Sequence, residues 1–138
     1  MTVVFDTNTV VRAIFWPRST DRRALVGLAR RQFAAAVSVS VFDEYERIAR
    51  ALQHESFPDI NPAGALAWLR IKSLWVEPAP LGKARSRDPK DDPVLATAVA
   101  ARAAYLVAGD RDLLDLGKPF GIAIVTSAQF LRCIEPIH

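Results

Sequence analysis

Met1-Thr2-Val3-Val4-Phe5-Asp6-Thr7-Asn8 is the stretch whose reading decides the fold. Thr2 to Phe5 is a short apolar run rich in β-branched residues, the mark of a buried strand. The run stops on Asp6, and after Thr7 and Asn8 a second apolar stretch, Thr9 to Phe15, begins. The pattern is strand, acid, helix. In an open α/β sheet, chemistry gathers at the carboxyl ends of the strands. An acid there, followed by two hydrogen-bonding side chains, is placed to hold something cationic. Asp also caps helices, and on this stretch alone capping explains Asp6 at least as well. The remaining residues have to decide.

Working outward, Trp16-Pro17-Arg18-Ser19 breaks the pattern, and Ser19 or Thr20 can cap a helix from Asp21 to about Arg31. Phe33 to Val39 reads as a second strand, although its alanines also suit a helix. Ser40 is the expected N-cap of a helix through about Leu52, with Glu44 in its early turns. Asn61-Pro62 starts the next helix, and Trp75-Val76-Glu77 is a short strand. Leu81 to Asp91 is a polar, basic loop. Asp92-Pro93 opens an Ala-rich helix to about Ala103, followed by a buried strand, Tyr105 to Ala108. Gly109 to Asp112 turns into a short helix at Leu113–Leu116. Ile122 to Val125 is the last strand, and Thr126 with Gln129 forms a capping box for a helix to about Ile134. Strands alternating with helices predict an α/β fold of three layers, α/β/α, with a central parallel sheet.

Composition sets the outer bounds. A chain of 138 residues with 51% apolar residues suits one domain, residues 1–138, with a real core. Its longest uncharged apolar run is too short for a bilayer, and no signal peptide is visible, so a cytoplasmic protein without membrane contact is expected. Cys133 is the single cysteine, which rules out an internal disulfide and a Cys-rich zinc site. The net charge of +3 favours an anionic partner only mildly.

The acids carry the functional argument. Asp6 ends the first strand, Glu44 follows the second, Asp91 and Asp92 head the Ala-rich helix, and Asp110 and Asp112 follow the Tyr105–Ala108 strand. A parallel α/β sheet brings all these positions to one edge. Carboxylates gathered there repel one another and persist best around a hard divalent cation such as Mg²⁺ or Mn²⁺. Each also has a plain structural reading: Asp92 before Pro93 and Asp110 or Asp112 as caps, Glu44 as a surface residue facing Arg47. No His stands near them in sequence, which argues against imidazole-bound zinc.

The same residues carry a resemblance. Val-Val-Phe-Asp-Thr-Asn at 3–8, Ser-Val-Phe-Asp-Glu-Tyr at 40–45, Asp-Pro-Lys-Asp-Asp-Pro at 88–93, Leu-Val-Ala-Gly-Asp-Arg-Asp-Leu-Leu from 106 and Ile-Val-Thr-Ser-Ala-Gln-Phe-Leu from 124 resemble PIN-domain ribonucleases, in order and over nearly the whole chain. The chain looks most like the VapC-type toxins of type II toxin–antitoxin systems. The resemblance implies a Mg²⁺- or Mn²⁺-dependent endoribonuclease that leaves 3′-hydroxyl and 5′-phosphate ends. It makes Asp6, Glu44 and Asp110 metal-binding acids. For the third acid, counting back from Asp110 favours Asp92 and the Asp-Pro-Lys-Asp spacing favours Asp91; both stay candidates, with Asp92 the expected catalytic ligand and Asp91 close enough to act through water. Asp112, two residues after Asp110, is a further metal candidate. Asn8 matches the polar residue after the first acid, and Ser40 the hydroxyl before the second. Where relatives commonly carry Thr this chain has Ala108, so a hydroxyl is missing that Ser127 or Thr126 would have to replace. RNA is the implied substrate, approached by Lys83, Arg85, Arg87 and Lys90, which read slightly better as a solvated loop. A small antitoxin is the implied partner, docking over the helical region from Asp21 to Leu52, and the resemblance leaves room for a homodimer. Two other readings remain: a non-catalytic PIN fold that binds RNA, and a haloacid-dehalogenase-type phosphatase, which would need a second Asp where this chain has Asn8.

Overall fold

A computed structural model describes residues 1–85 and 89–135. Its elements in chain order are β1 (Thr2–Phe5), α1 (Thr7–Phe15), α2 (Thr20–Ala29), β2 (Ala34–Val37), α3 (Val39–Ser56), α4 (Ala63–Lys72) and β3 (Leu74–Trp75). They continue with α5 (Asp92–Ala100), β4 (Tyr105–Val107), α6 (Arg111–Leu114), β5 (Ala123–Val125) and α7 (Ser127–Ile134). The strands form one sheet in the order β3-β2-β1-β4-β5, and every pairing is parallel. Helices flank it, giving the expected α/β/α layers.

β1 is central because it is apolar along its whole length. Val3, Val4 and Phe5 are buried, as a strand covered on both faces must be. β1 pairs with β2 from Thr2 opposite Ala34, and with β4 from Val3 opposite Tyr105 to Phe5 opposite Val107. The strand order reverses direction between β1 and β4, the kind of place where open α/β sheets form clefts. Asp6 and Asp110 lie just beyond these two strands.

The helices meet the sheet through apolar faces. Leu25 and Leu28 of α2 and Phe42 and Tyr45 of α3 are buried. α2 packs on α1 and α7, and α3 packs on α1, α4 and α5. The faces expected to await a partner between Asp21 and Leu52 are therefore largely covered within the chain. Gly27 allows the close approach of α2 to the start of β2: a Cβ there would lie 2.6 Å from Phe33 Cε1.

Several boundaries differ from the sequence reading, each for a local reason. The N-cap of α3 is Ser38, not Ser40, since Ser38 Oγ accepts from the Val41 N–H. The helix starts early because β2 ends at Val37. It also runs on to Ser56, since no breaker precedes Phe57-Pro58. Asp92 is the first residue of α5, not its cap; Asp91 holds that position without a side-chain capping bond. α5 stops at Ala100, and Arg102 takes a left-handed φ of 51° that a helix cannot contain. The capping box of Thr126 and Gln129 forms as expected.

Candidate active site

Asp6 has two structural bonds that fix it. Its Oδ1 accepts from the Thr9 N–H at 2.8 Å, which caps α1. Its Oδ2 accepts from the Gly109 N–H at 3.2 Å, which ties the end of β1 to the end of β4. The residue is 4% exposed. Burial pushes its carboxyl above the usual range and nearby Asp110 adds to that, while the bonds from Thr9 and Gly109 pull the other way.

The other groups arrive from separate elements. Glu44, on α3, accepts from the Thr7 hydroxyl at the head of α1. Its neighbour Tyr45 is buried and donates its hydroxyl to the Phe5 carbonyl at the end of β1. Burial, with Asp6 and Glu44 nearby, pushes that phenol well above its usual range. Asp110 caps α6 by accepting from the Asp112 N–H at 2.8 Å. Asp91 closes a 3₁₀ turn, Pro89–Asp91, just before α5.

These pieces line one cleft of about 340 Å³. Asp6, Glu44, Asp91 and Asp110 all reach it, with Thr7, Asn8, Ser40 and Arg47. Asp91, Asp110 and Asp112 are half-buried and offer carboxylate oxygens within 4.8 Å of one another. An all-oxygen donor set of this kind suits a hard divalent cation, and no imidazole is among the lining residues. Asp92 is turned toward the preceding loop, where its carboxylate accepts from the Arg85 N–H at 3.2 and 3.3 Å.

Known protein families provide the comparison that decides the kinship: the PIN domain matches residues 2–112. The chain belongs to the PIN-domain family. A search of curated proteins finds no match. PIN domains are generally metal-dependent nucleases that act on RNA or DNA, and the acidic cluster agrees with that chemistry.

In this PIN domain, Ser127 does not reach the acidic cleft. Its hydroxyl donates to Asp21 Oδ1, linking α7 to α2, and Thr126 caps α7. Neither takes the place of a hydroxyl at Ala108, which is buried, its N–H donating to the Val125 carbonyl at 2.9 Å. Of the basic loop, Lys83 and Arg85 are exposed. The Arg85 guanidinium donates to the Leu81 carbonyl and lies 5.0 Å from the Phe120 ring centre. Arg87 lies outside the described residues, as does Asp88, and so does the side chain of Lys90.

Sequence reasoning missed the support beneath the acids. Ser38 Oγ and Thr97 Oγ1 are 2.8 Å apart, both fully buried, and Thr97 also donates to the Pro93 carbonyl at 2.8 Å. This pair pins the first turn of α5, and so Asp91, to the end of β2. The signal was one hydroxyl inside Leu95-Ala96-Thr97-Ala98-Val99. Arg47 was legible as a residue on the Glu44 face of α3, but its place in the cleft was not.

Proposed function

We propose that this PIN domain is a divalent-metal-dependent endoribonuclease, Mg²⁺ or Mn²⁺ being the cation, and that it is the toxin of a VapC-type toxin–antitoxin pair. The observation that carries the nuclease reading is the gathering of Asp6, Glu44, Asp91 and Asp110 in one cleft at the carboxyl edge of a parallel sheet. Four carboxylates brought together from four elements exceed what capping requires.

Asp91, Asp110 and Asp112 would hold the cation, with Asp6 and Glu44 completing the acidic wall. Geometry favours Asp91 over Asp92 as the third acid, because Asp91 faces the cleft and Asp92 binds the Arg85 backbone. A bound divalent cation supplies charge neutralisation at the phosphate and a lowered pKa for the attacking water. The remaining chemistry belongs to the chain. Asp6, held by two N–H groups, stays in place while substrate and product exchange. Glu44, oriented by the Thr7 hydroxyl, would be the carboxylate that accepts a hydrogen bond from the attacking water. Arg47, exposed at the rim, offsets phosphate charge as RNA enters.

The test is cleavage of a labelled RNA by purified protein in Mn²⁺, and again in chelator. Cleavage that chelation abolishes supports the reading. RNA binding without cleavage, in any divalent metal, replaces it with a non-catalytic PIN fold. The toxin assignment rests on the resemblance and has its own test. Expressing the chain alone should slow growth, and the neighbouring gene should relieve it. Normal growth with abundant folded protein would leave a housekeeping nuclease.

A further inference from the structure

We propose that the cleft around Trp16 is a base-stacking subsite for a nucleotide flanking the scissile phosphate of single-stranded RNA. This rests on the nuclease reading above. The cleft, about 670 Å³, is lined by Arg12, Trp16, Pro17, Arg18 and Ser19.

The indole is 45% exposed yet held in place. It stands nearly perpendicular to the Phe57 ring, with centres 5.0 Å apart, and Phe57 packs in turn on Phe15. The backbone of the turn is fixed as well. The Trp16 N–H donates to the Arg12 carbonyl at 2.9 Å, and the Ser19 N–H to the Trp16 carbonyl at 3.0 Å. A rigid, half-open aromatic surface loses little freedom when a planar ring covers it. Two guanidiniums border it, and neither Arg12 nor Arg18 is in an ion pair among the described residues. An apolar floor with cations at its rim fits a base and its phosphates, the combination by which proteins hold single strands.

Arg12 joins this cleft to the acids. Its guanidinium lies against Gly109, where a Cβ would stand 3.0 Å from Nη1. The Gly109 N–H is the donor to Asp6. A strand leaving the acidic cleft over Gly109 therefore meets Arg12 first and Trp16 next. The stacking surface ignores base identity, so it contributes affinity and register rather than sequence preference.

A protein with Trp68→Phe and Trp75→Phe keeps Trp16 as its one tryptophan. Titrating it in chelator with a short oligoriboadenylate should quench its emission to saturation. In Mn²⁺ with labelled RNA, Trp16→Ala should raise KM about tenfold with kcat nearly unchanged, Trp16→Phe less, and Arg18→Gln should flatten the salt dependence of KM. Melting curves identify any variant that fails to fold, and Trp16→Phe and Arg18→Gln then carry the result. Emission indifferent to RNA in a protein that cleaves it overturns the subsite, leaves the nuclease standing and points to a protein segment as the occupant. Parental KM in folded Trp16→Ala overturns it too. Quenching by RNA in a parent that never cleaves supports the stacking site and defeats the nuclease reading instead.

Discussion

The β1–α1 and β4–α6 junctions are built alike and do different work. Each runs from a parallel strand into a helix through an Asp that caps it, Asp6 in one and Asp110 in the other. Asp6 is buried, precedes a nine-residue helix and accepts from both junctions. Asp110 is half-buried, precedes a four-residue helix and accepts from Asp112 nearby. Capping and metal binding are thus not rival explanations. A carboxylate has two oxygens with more than one lone pair each, so a cap fixes the acid and leaves capacity for a cation. Burial then sets how strongly each acid is bound into the fold.

The largest expected effect is on catalysis. Asp6→Asn and Asp110→Asn should each lower RNA cleavage by more than about 100-fold, beyond what loss of an outer partner of a ligand produces. Near-parental rates from either would break the comparison at its root. The two should separate when replaced by Ala. Asp6→Ala strands the buried Thr9 N–H, removes the tie to the exposed Gly109 N–H, and should cost about 2 kcal/mol in urea unfolding with chelator present, whereas Asp110→Ala should cost well under about 1 kcal/mol. Equal costs would mean that burial does not distinguish the junctions.

A metal titration sharpens the comparison further. Mn²⁺ at about a hundred times its Kd should stabilise the parent by about 2.7 kcal/mol, read as a higher melting temperature. Asp91→Asn should remove most of that rise, Asp112→Asn part of it, and Asp92→Asn little. A full loss in Asp92→Asn with none in Asp91→Asn would reverse the assignment of the third acid. A further effect lies beneath the site. Thr97→Val leaves the Ser38 hydroxyl without its nearest buried partner and should cost about 1–2 kcal/mol. Ser38→Ala with Thr97→Val should then cost less than the sum of the two singles. Strict additivity would show that the pair does not act as a unit.

Alternating apolar runs made the layers and the parallel sheet legible, and Val3-Val4-Phe5 marked a buried strand, whose central place only the strand order shows. Strand-end position made Asp6, Glu44 and Asp110 legible as neighbours before any contact was known. The count from Asp110 pointed to Asp92, whereas it is Asp91 that lines the cleft, because adjacent residues at a helix start differ only in direction, and direction depends on the 3₁₀ turn ahead of them. Ser38 rather than Ser40 caps α3 because β2 ends at Val37, two residues short of the expected strand end at Val39. Tyr45 and Thr97 were silent because a buried hydroxyl shows its partner only when distant strands are in place.

The strand order also sets when the site can exist during synthesis. β1 and β2 can pair once about the first third of the chain has left the ribosome, but the other side of β1 waits for Tyr105 to Val107. At about 5–20 residues per second, Asp6 and Glu44 are exposed for several seconds before Gly109 and Asp110 arrive. A nascent chain halted before residue 109 holds three of the acids and no assembled centre. The acidic cleft of this PIN domain therefore cannot assemble until β4 has paired with β1 and Asp110 has followed it.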